Sequence, residues 1–444
     1  MRIRIWGAGG STPTPLTSEA IEEKIFRAIL GMPTLDTGDP RAVRTYIKTL
    51  PSLLRGTSGG NTSCVEIQAG EETFIIDAGS GLRPLGLELM KGPCGHGRGK
   101  LHIFISHLHW DHIQGFPFFT PAFVPGNQLI FYSVHDVEQA LTEQQRYPHF
   151  PVAIDPAQAE KEFSRLRDSQ RRRFGHIPAM QARRKFVRLE VGQPLTLGPV
   201  NINTLRNHHP GDAYSFRFED QHSVFVYASD AEYKDLDDRA VQERLEFFKE
   251  ADALVFDAQY GLRESWESKV DYGHSSAMIG VDFARRAGVK RLLLYHHEPT
   301  YSDSQLEEIQ STAIAYQAQD DTLPPCEVLV ACEGLTLDLS PVGAIDWQPS
   351  QDGEAAILTA GRAFDEIGIE NLTRQMIQLA EQEGPAGSVL DLSQVERLTT
   401  ASLKALVTFS REREQGPLVL ANPSPAVEEV IKLAGYGDYF AIYP

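Results

Sequence analysis

The chain has 444 residues, of which 41% are hydrophobic, with 42 Lys and Arg against 60 Asp and Glu and a formal net charge of −18. That length suits roughly two to four domains with full-sized cores; no apolar run approaches the ~20 residues of a membrane span, and Met1 leads into a charged strand rather than a signal peptide. Cys64, Cys94, Cys326 and Cys332 form neither a disulfide framework nor a CxxC zinc pattern, and the acidic balance opposes binding of long polyanions, so a cytoplasmic protein with no membrane partner is expected.

The first element, Met1–Ile5, reads as a strand running into the turn Trp6-Gly7-Ala8-Gly9-Gly10-Ser11. The turn lacks the GxGxxG spacing of a dinucleotide loop. Residues 17–57, with Ala20–Leu30 as their clearest periodic stretch, read as a helical insertion, either a rim or lid over a site or a neutral surface addition. Ser58–Ile67 and Thr73–Gly79 read as a turn and two strands, with Asp77 expected to hold neighbouring loops.

The apolar strand Leu101–Ile105 is followed by Ser106-His107-Leu108-His109-Trp110-Asp111-His112. Imidazole is the commonest metal ligand, and a carboxylate adds an anionic oxygen that hard or borderline cations accept. His107 and His109 can share one ion while Asp111 and His112 turn toward a second, a pattern that points to a two-metal hydrolytic site. Further on come Asn207-His208-His209-Pro210-Gly211, the strand Ser223–Ser229 closing on Asp230, and the strand Arg291–Tyr295 closing on His296-His297. Adjacent strand residues point to opposite faces, so each His pair offers one inward ring. His209 and His296 are preferred, with His208 and His297 as the alternatives.

His-x-His-x-Asp-His resembles the signature of the metallo-β-lactamase superfamily, an αβ/βα sandwich, and the opening strands resemble that family's first hairpins. The resemblance implies an α/β fold and a ligand set of His107, His109, Asp111, His112, His209, Asp230 and His296. It also implies two divalent ions, zinc foremost and manganese or iron as alternatives. Trp110 stands where the diiron redox branch has a Glu.

A second constellation follows. Ala251–Phe256 is a buried-strand pattern closed by Asp257, and Asp271-Tyr272-Gly273-His274-Ser275-Ser276 opens a helix-like segment. Together they resemble the phosphodiesterase branch, which includes the tRNA 3′-processing endonuclease RNase Z and cyclic-phosphodiester hydrolases. There the matching His is a proton donor oriented by an acid, roles that fall here to His274 and Asp257. The chemistry is coherent, because a departing alkoxide needs a proton.

A basic stretch, Arg165–Arg167, Arg171–Arg173 and Arg183–Lys185, reads as a substrate-phosphate clamp, a nucleic-acid arm or a solvated helix face. It lacks the aromatic interleaving of single-strand binders. The expected substrate is therefore a small phosphodiester, foremost a cyclic nucleotide. The alternatives are an RNA 3′-processing endonuclease and a signalling scaffold that binds a ligand.

The expected division is a hydrolase domain over 1–340, a linker over 341–353 and a small α/β domain over 354–444. Gly361–Asp365, Val389–Val395 and Leu418–Pro425 resemble the STAS domain of anti-sigma-factor antagonists. That resemblance implies a regulatory or docking role toward a kinase or sigma-factor regulator, or dimerisation with a second copy. It places Thr400 at the phosphoacceptor position, although Thr399 and Ser402 replace the usual Asp and Gly.

Overall fold

A computed structural model of the chain describes residues 1–165, 178–234 and 237–339, and, beyond them, segments between 346 and 443. Residues 166–173 of the basic stretch, and Thr400, lie outside the described residues. The chain divides into two compact units, Met1–Asp338 and Leu339–Pro444.

The first unit contains two seven-stranded sheets. One has the order β14-β1-β2-β3-β4-β5-β6, where β1 is Arg2–Gly7, β2 Cys64–Ala69, β3 Glu72–Ile76, β4 Lys100–Phe104, β5 Gln128–Ser133, β6 Arg183–Arg188 and β14 Thr336–Asp338. The other runs β13-β12-β11-β10-β9-β8-β7, with β7 Leu195–Leu197, β8 Val200–Arg206, β9 Tyr214–Glu219, β10 Val224–Ala228, β11 Ala253–Asp257, β12 Arg291–Tyr295 and β13 Glu327–Val330. Each sheet is antiparallel on one side and parallel on the other. β3 to β6 run parallel in the first, and β10 to β13 in the second.

The sheets meet through aromatic rings. Phe104 of β4 lies 5.2 Å from Phe218 and 5.5 Å from Phe216 of β9, and Phe74 of β3 lies 5.7 Å from Phe218. Helices cover the outer faces. Leu254 and Phe256 of β11 pack under the helices Asp238–Phe248, Ala277–Arg286 and Asp303–Gln317, while Ile103 and Phe131 pack under Leu82–Leu89 and Val137–Gln144. Burial on both faces explains why β11 reads as an unbroken apolar run. The result is the αβ/βα sandwich expected from the sequence.

The insertion forms the helices Ser18–Leu30, Pro40–Thr49 and Ser52–Arg55. Thr17 caps the first by accepting from the amide of Ala20, which satisfies one of the amides left unpaired at a helix start. Arg27 pairs with Glu307 at 2.8 Å and Lys24 with Asp303, so this helix is anchored on Asp303–Gln317. No described helix is long and apolar enough to cross a membrane.

The second unit carries a five-stranded sheet of order 346–349, 355–359, 387–391, 418–421 and 440–443. The helix Pro425–Leu433 starts on a cap in which Ser424 Oγ accepts from the amide of Val427. The stretch expected to be linker, 341–353, is corrected in part: Asp346–Pro349 pairs antiparallel with residues 356–359. The proline that suggested a connector is tolerated because this is an edge strand.

Candidate metal centre and proton donor

The site collects at the carboxyl ends of the parallel strands, where chain reversals free side chains from the ladder. Asp77 follows β3, His107 to His112 follow β4, Asp230 follows β10, Asp257 closes β11 and His296 follows β12. Asp77, Asp230 and His296 all adopt left-handed backbone, with φ of 61°, 57° and 61°. Asp and His are among the residues that enter this region most readily, and such positions cluster at functional sites.

Four buried or partly buried donor groups form here, each with its candidate ligand atoms within 4.8 Å of one another: His107, His109 and His209; Asp111, His112 and His296; His107, His112 and Asp230; and Asp230, Asp257, His274 and His296. His109 Nδ1 is 3.2 Å from His209 Nε2, and His296 Nε2 lies 3.2 Å from Asp111 Oδ2 and 3.1 Å from Asp230 Oδ1. The buried Nε2 atoms of His107 and His112 have no hydrogen-bond partner among the described residues. They stand 3.8 Å from Asp230 Oδ1 and 3.3 Å from Asp230 Oδ2, respectively. Two orphaned imidazole nitrogens facing a buried carboxylate fit a divalent cation, because an unsatisfied buried polar atom is otherwise costly.

The electrostatics point the same way. Burial opposes ionisation of Asp230, yet the imidazoles of His112, His296 and His107 hold its carboxyl well below the usual range. Asp111 is likewise held low against its burial by His112 and His296. Burial would lower His296, but Asp230 and Asp111 raise it to about 9. His107 goes the other way, held well below the ordinary imidazole range by burial and by His112. The centre attracts positive charge, whether as protons or as cations.

The neighbours of these rings set which nitrogen faces inward. Asp77 Oδ2 accepts from His112 Nδ1 at 2.8 Å, and the same carboxylate accepts from the Ser106 amide, Ser106 Oγ and Tyr227 OH, each at 2.8 Å. His209 Nδ1 donates to the Gly273 carbonyl at 2.9 Å, and His296 Nδ1 donates to Gln259 Oε1 at 3.1 Å. Each bond occupies Nδ1 and leaves Nε2 for the centre, the usual logic of outer partners at metal sites.

The duplicated His pairs separate by direction. His209 is buried in the cluster, while the exposed His208 groups with Glu232 and Asp271. His297 turns to the opposite side, 2.7 Å from the Ala331 carbonyl, and burial lowers it to about 4. The Gly-rich turn after β1 is a packing element. The amide of Gly10 donates to the His297 carbonyl at 2.9 Å, and the amide of Ser11 donates to Asp111 Oδ2 at 2.8 Å. A Cβ on Gly10 would fall 2.5 Å from His296 Nδ1.

His274 sits at the edge of the cluster. Its Nδ1 donates to Asp257 Oδ2 at 2.7 Å, and its ring stacks on His296 at 4.7 Å with an interplanar angle of 18°. Asp257 also accepts from the amides of Gln259, Ser275 and Ala231 at 3.2, 3.2 and 3.3 Å. Glu232 accepts from the amides of Asp271 and Gly273, at 3.1 Å each, and so fixes the loop that carries His274. Gln259 and Glu232 belong to no sequence motif, and only their placement in the fold marks them.

A sandwich of two mixed sheets with imidazoles and carboxylates gathered at one edge defines the class of metal-dependent hydrolases. The chain belongs to the β-lactamase superfamily: that family's domain profile matches residues 72–297. Residues 346–444 match the STAS domain. The chain is 30% identical over 112 residues to the probable metallo-hydrolase YhfI of Bacillus subtilis, a match spanning 25% of this chain and 42% of that protein. It is 28% identical over 274 residues to ribonuclease Z of Ignicoccus hospitalis, spanning 56% of this chain and 87% of that one. The crystal structure of YhfI aligns over 76% of this chain and 98% of its own, with 20% identity and a TM-score of 0.46.

Proposed function

We propose that this chain is a two-metal phosphodiesterase acting on a small phosphodiester, foremost a cyclic nucleotide, and that its STAS domain docks a regulatory protein partner. His107, His109 and His209 would hold one ion and Asp111, His112 and His296 the other, with Asp230 shared. Bound divalent ions would supply Lewis acidity toward the phosphoryl oxygens and a nucleophilic water at neutral pH. The observation that carries the reading is the 2.7 Å bond from His274 Nδ1 to Asp257 beside the ligand rings. Asp257 holds the ring through Nδ1–H, so in the imidazolium form the second proton sits on Nε2 and is the one given to a departing alkoxide. The protein's net charge of −18 favours a small substrate over a long polyanion.

A second reading, RNA 3′-processing of the ribonuclease Z type, draws on the likeness to ribonuclease Z from Ignicoccus hospitalis. The deciding experiment is a hydrolysis screen of the metal-loaded protein. It would contain bis-p-nitrophenyl phosphate, 3′,5′- and 2′,3′-cyclic nucleotides, cyclic dinucleotides and a pre-tRNA. Turnover of cyclic nucleotides with an inert pre-tRNA supports the first reading, and the reverse supports the second. Inactivity on all of them with metal bound points to a ligand-binding scaffold. His274→Ala is expected to lower turnover by roughly 10²–10⁴-fold with metal content intact; loss of metal in that variant would make His274 a ligand and overturn its assignment.

A further inference from the structure

His274 has two surroundings. One side of it meets the ligand rings His296 and His209, at centroid distances of 4.7 and 5.1 Å. It also lines a cavity of about 270 Å³ together with Tyr233, Trp266, Val270, Ser275 and Ile279. We propose that this cavity is the leaving-group subsite and that it takes the base of a nucleoside, lying against Trp266. The inference rests on the phosphodiesterase reading, because it uses His274 as the donor to the departing oxygen.

The argument begins with direction. The phosphorus must sit at the ligand cluster, and the oxygen protonated by His274 is the one leaving it. Whatever that oxygen carries continues away from the cluster, and the cavity that shares His274 is the space open to it. Its volume suits a single ring system, since pockets for drug-sized ligands start near ~300 Å³.

The lining then selects the chemistry. Trp266 is 62% exposed and Val270 44%, an uncovered aromatic face and apolar edge beside a polar centre. Ser275 is 1% exposed, and its Oγ has no hydrogen-bond partner among the described residues. A buried hydroxyl without a partner is costly unless something answers it, and a base edge carries donors and acceptors that can. The charged residues of the lining are already engaged. Glu232 accepts from two backbone amides, and Lys234 pairs with Asp271. A second phosphate would therefore meet no uncommitted cation among the described residues of the lining, whereas a neutral flat ring meets an indole and a hydroxyl.

Two measurements on the full-length, metal-loaded chain test this. The first is calorimetric titration with adenosine, which carries the base and ribose of the nucleotide that cleavage of a cyclic ester would leave in the subsite, without its phosphate. The unaltered protein is expected to bind it, and Trp266→Ala to weaken binding on the order of ten-fold, the usual scale of base–aromatic stacking. Val270→Trp, which fills the cavity from an exposed position, should weaken it as well. Absence of adenosine binding, or binding indifferent to both substitutions, overturns the subsite whatever the hydrolysis results.

The second compares kcat/KM for 2′,3′-cyclic AMP with that for glycerol 1,2-cyclic phosphate, which has the same cyclic ester and no base. The ratio should favour the nucleotide and fall in Trp266→Ala. A ratio near one in the unaltered protein also overturns the proposal. If adenosine binds in a Trp266-dependent way but neither ester is hydrolysed, the subsite stands and the phosphodiesterase reading falls.

Discussion

Replacing Asp77 with Asn should weaken metal binding without removing a single ligand. The side chain is fully buried and accepts four hydrogen bonds, all at 2.8 Å, from the Ser106 amide, Ser106 Oγ, His112 Nδ1 and Tyr227 OH. A carboxylate only accepts, which fixes the proton of His112 on Nδ1 and leaves a lone pair on Nε2. An amide has one accepting oxygen and one donating nitrogen. The oxygen can keep the Ser106 amide, but the nitrogen then faces the two hydroxyls and His112 Nδ1. The hydroxyls can rotate to accept. His112 can accept only by moving its proton to Nε2, where it blocks ligation. The expected cost is about 1–3 kcal/mol of folding stability for the disturbed network, with metal affinity reduced roughly 10–100-fold. Competitive chelator titration with zinc, alongside urea unfolding of both proteins, reads the two quantities separately. Wild-type zinc affinity in Asp77→Asn would refute the tautomer argument.

Gly273→Ala should cost about 1–3 kcal/mol through its left-handed backbone alone. With φ at +87° and a Cβ that would fall 2.3 Å from His209 Nδ1, it should also lower metal stoichiometry; unchanged unfolding and metal content would count against the packing described. Phe104→Ala, at the ring contact between the sheets, should cost about 3–5 kcal/mol by urea denaturation, and a cost under one would mean the core collapses around the gap. His102 is buried between Glu72 at 3.0 Å and Tyr132 at 2.9 Å; burial, aided by Lys100, holds its ring below the ordinary imidazole range despite Glu72. The unfolded chain therefore takes up this proton first. The stabilisation is complete above the unfolded value of about 6.5 and declines as pH falls through the lower folded value. The melting temperature of wild type should drop more between pH 7.5 and 5 than that of His102→Gln, and parallel slopes would remove His102 as the cause.

Much of this architecture is visible in the chain as written. Each element that ends in a chemical group is a short apolar run closed by His or Asp, because parallel strands buried on both faces read as continuous apolar segments. That pattern announces the Ser106–His112 loop, Asp230, Asp257 and His296 without any coordinates. The STAS-like strands at 355–359, 387–391 and 418–421 are legible for the same reason. The strands at 346–349 and 440–443 are not: the first carries a proline that only an edge position tolerates, and the second is four residues at the end of the chain.

Position in three dimensions decided the rest. Asp111 and His296 are 185 residues apart and meet only after both sheets have formed. Sequence leaves His208 against His209 and His296 against His297 open. The fold separates their directions: the left-handed turn at His296 turns its ring toward Asp111 and Asp230, while His297 lies against the Ala331 carbonyl. Gln259 and Glu232 carry no motif because their role is to touch residues far away in the chain. The cavity beside Trp266 is likewise a property of packing: a space exists only once the walls around it have met.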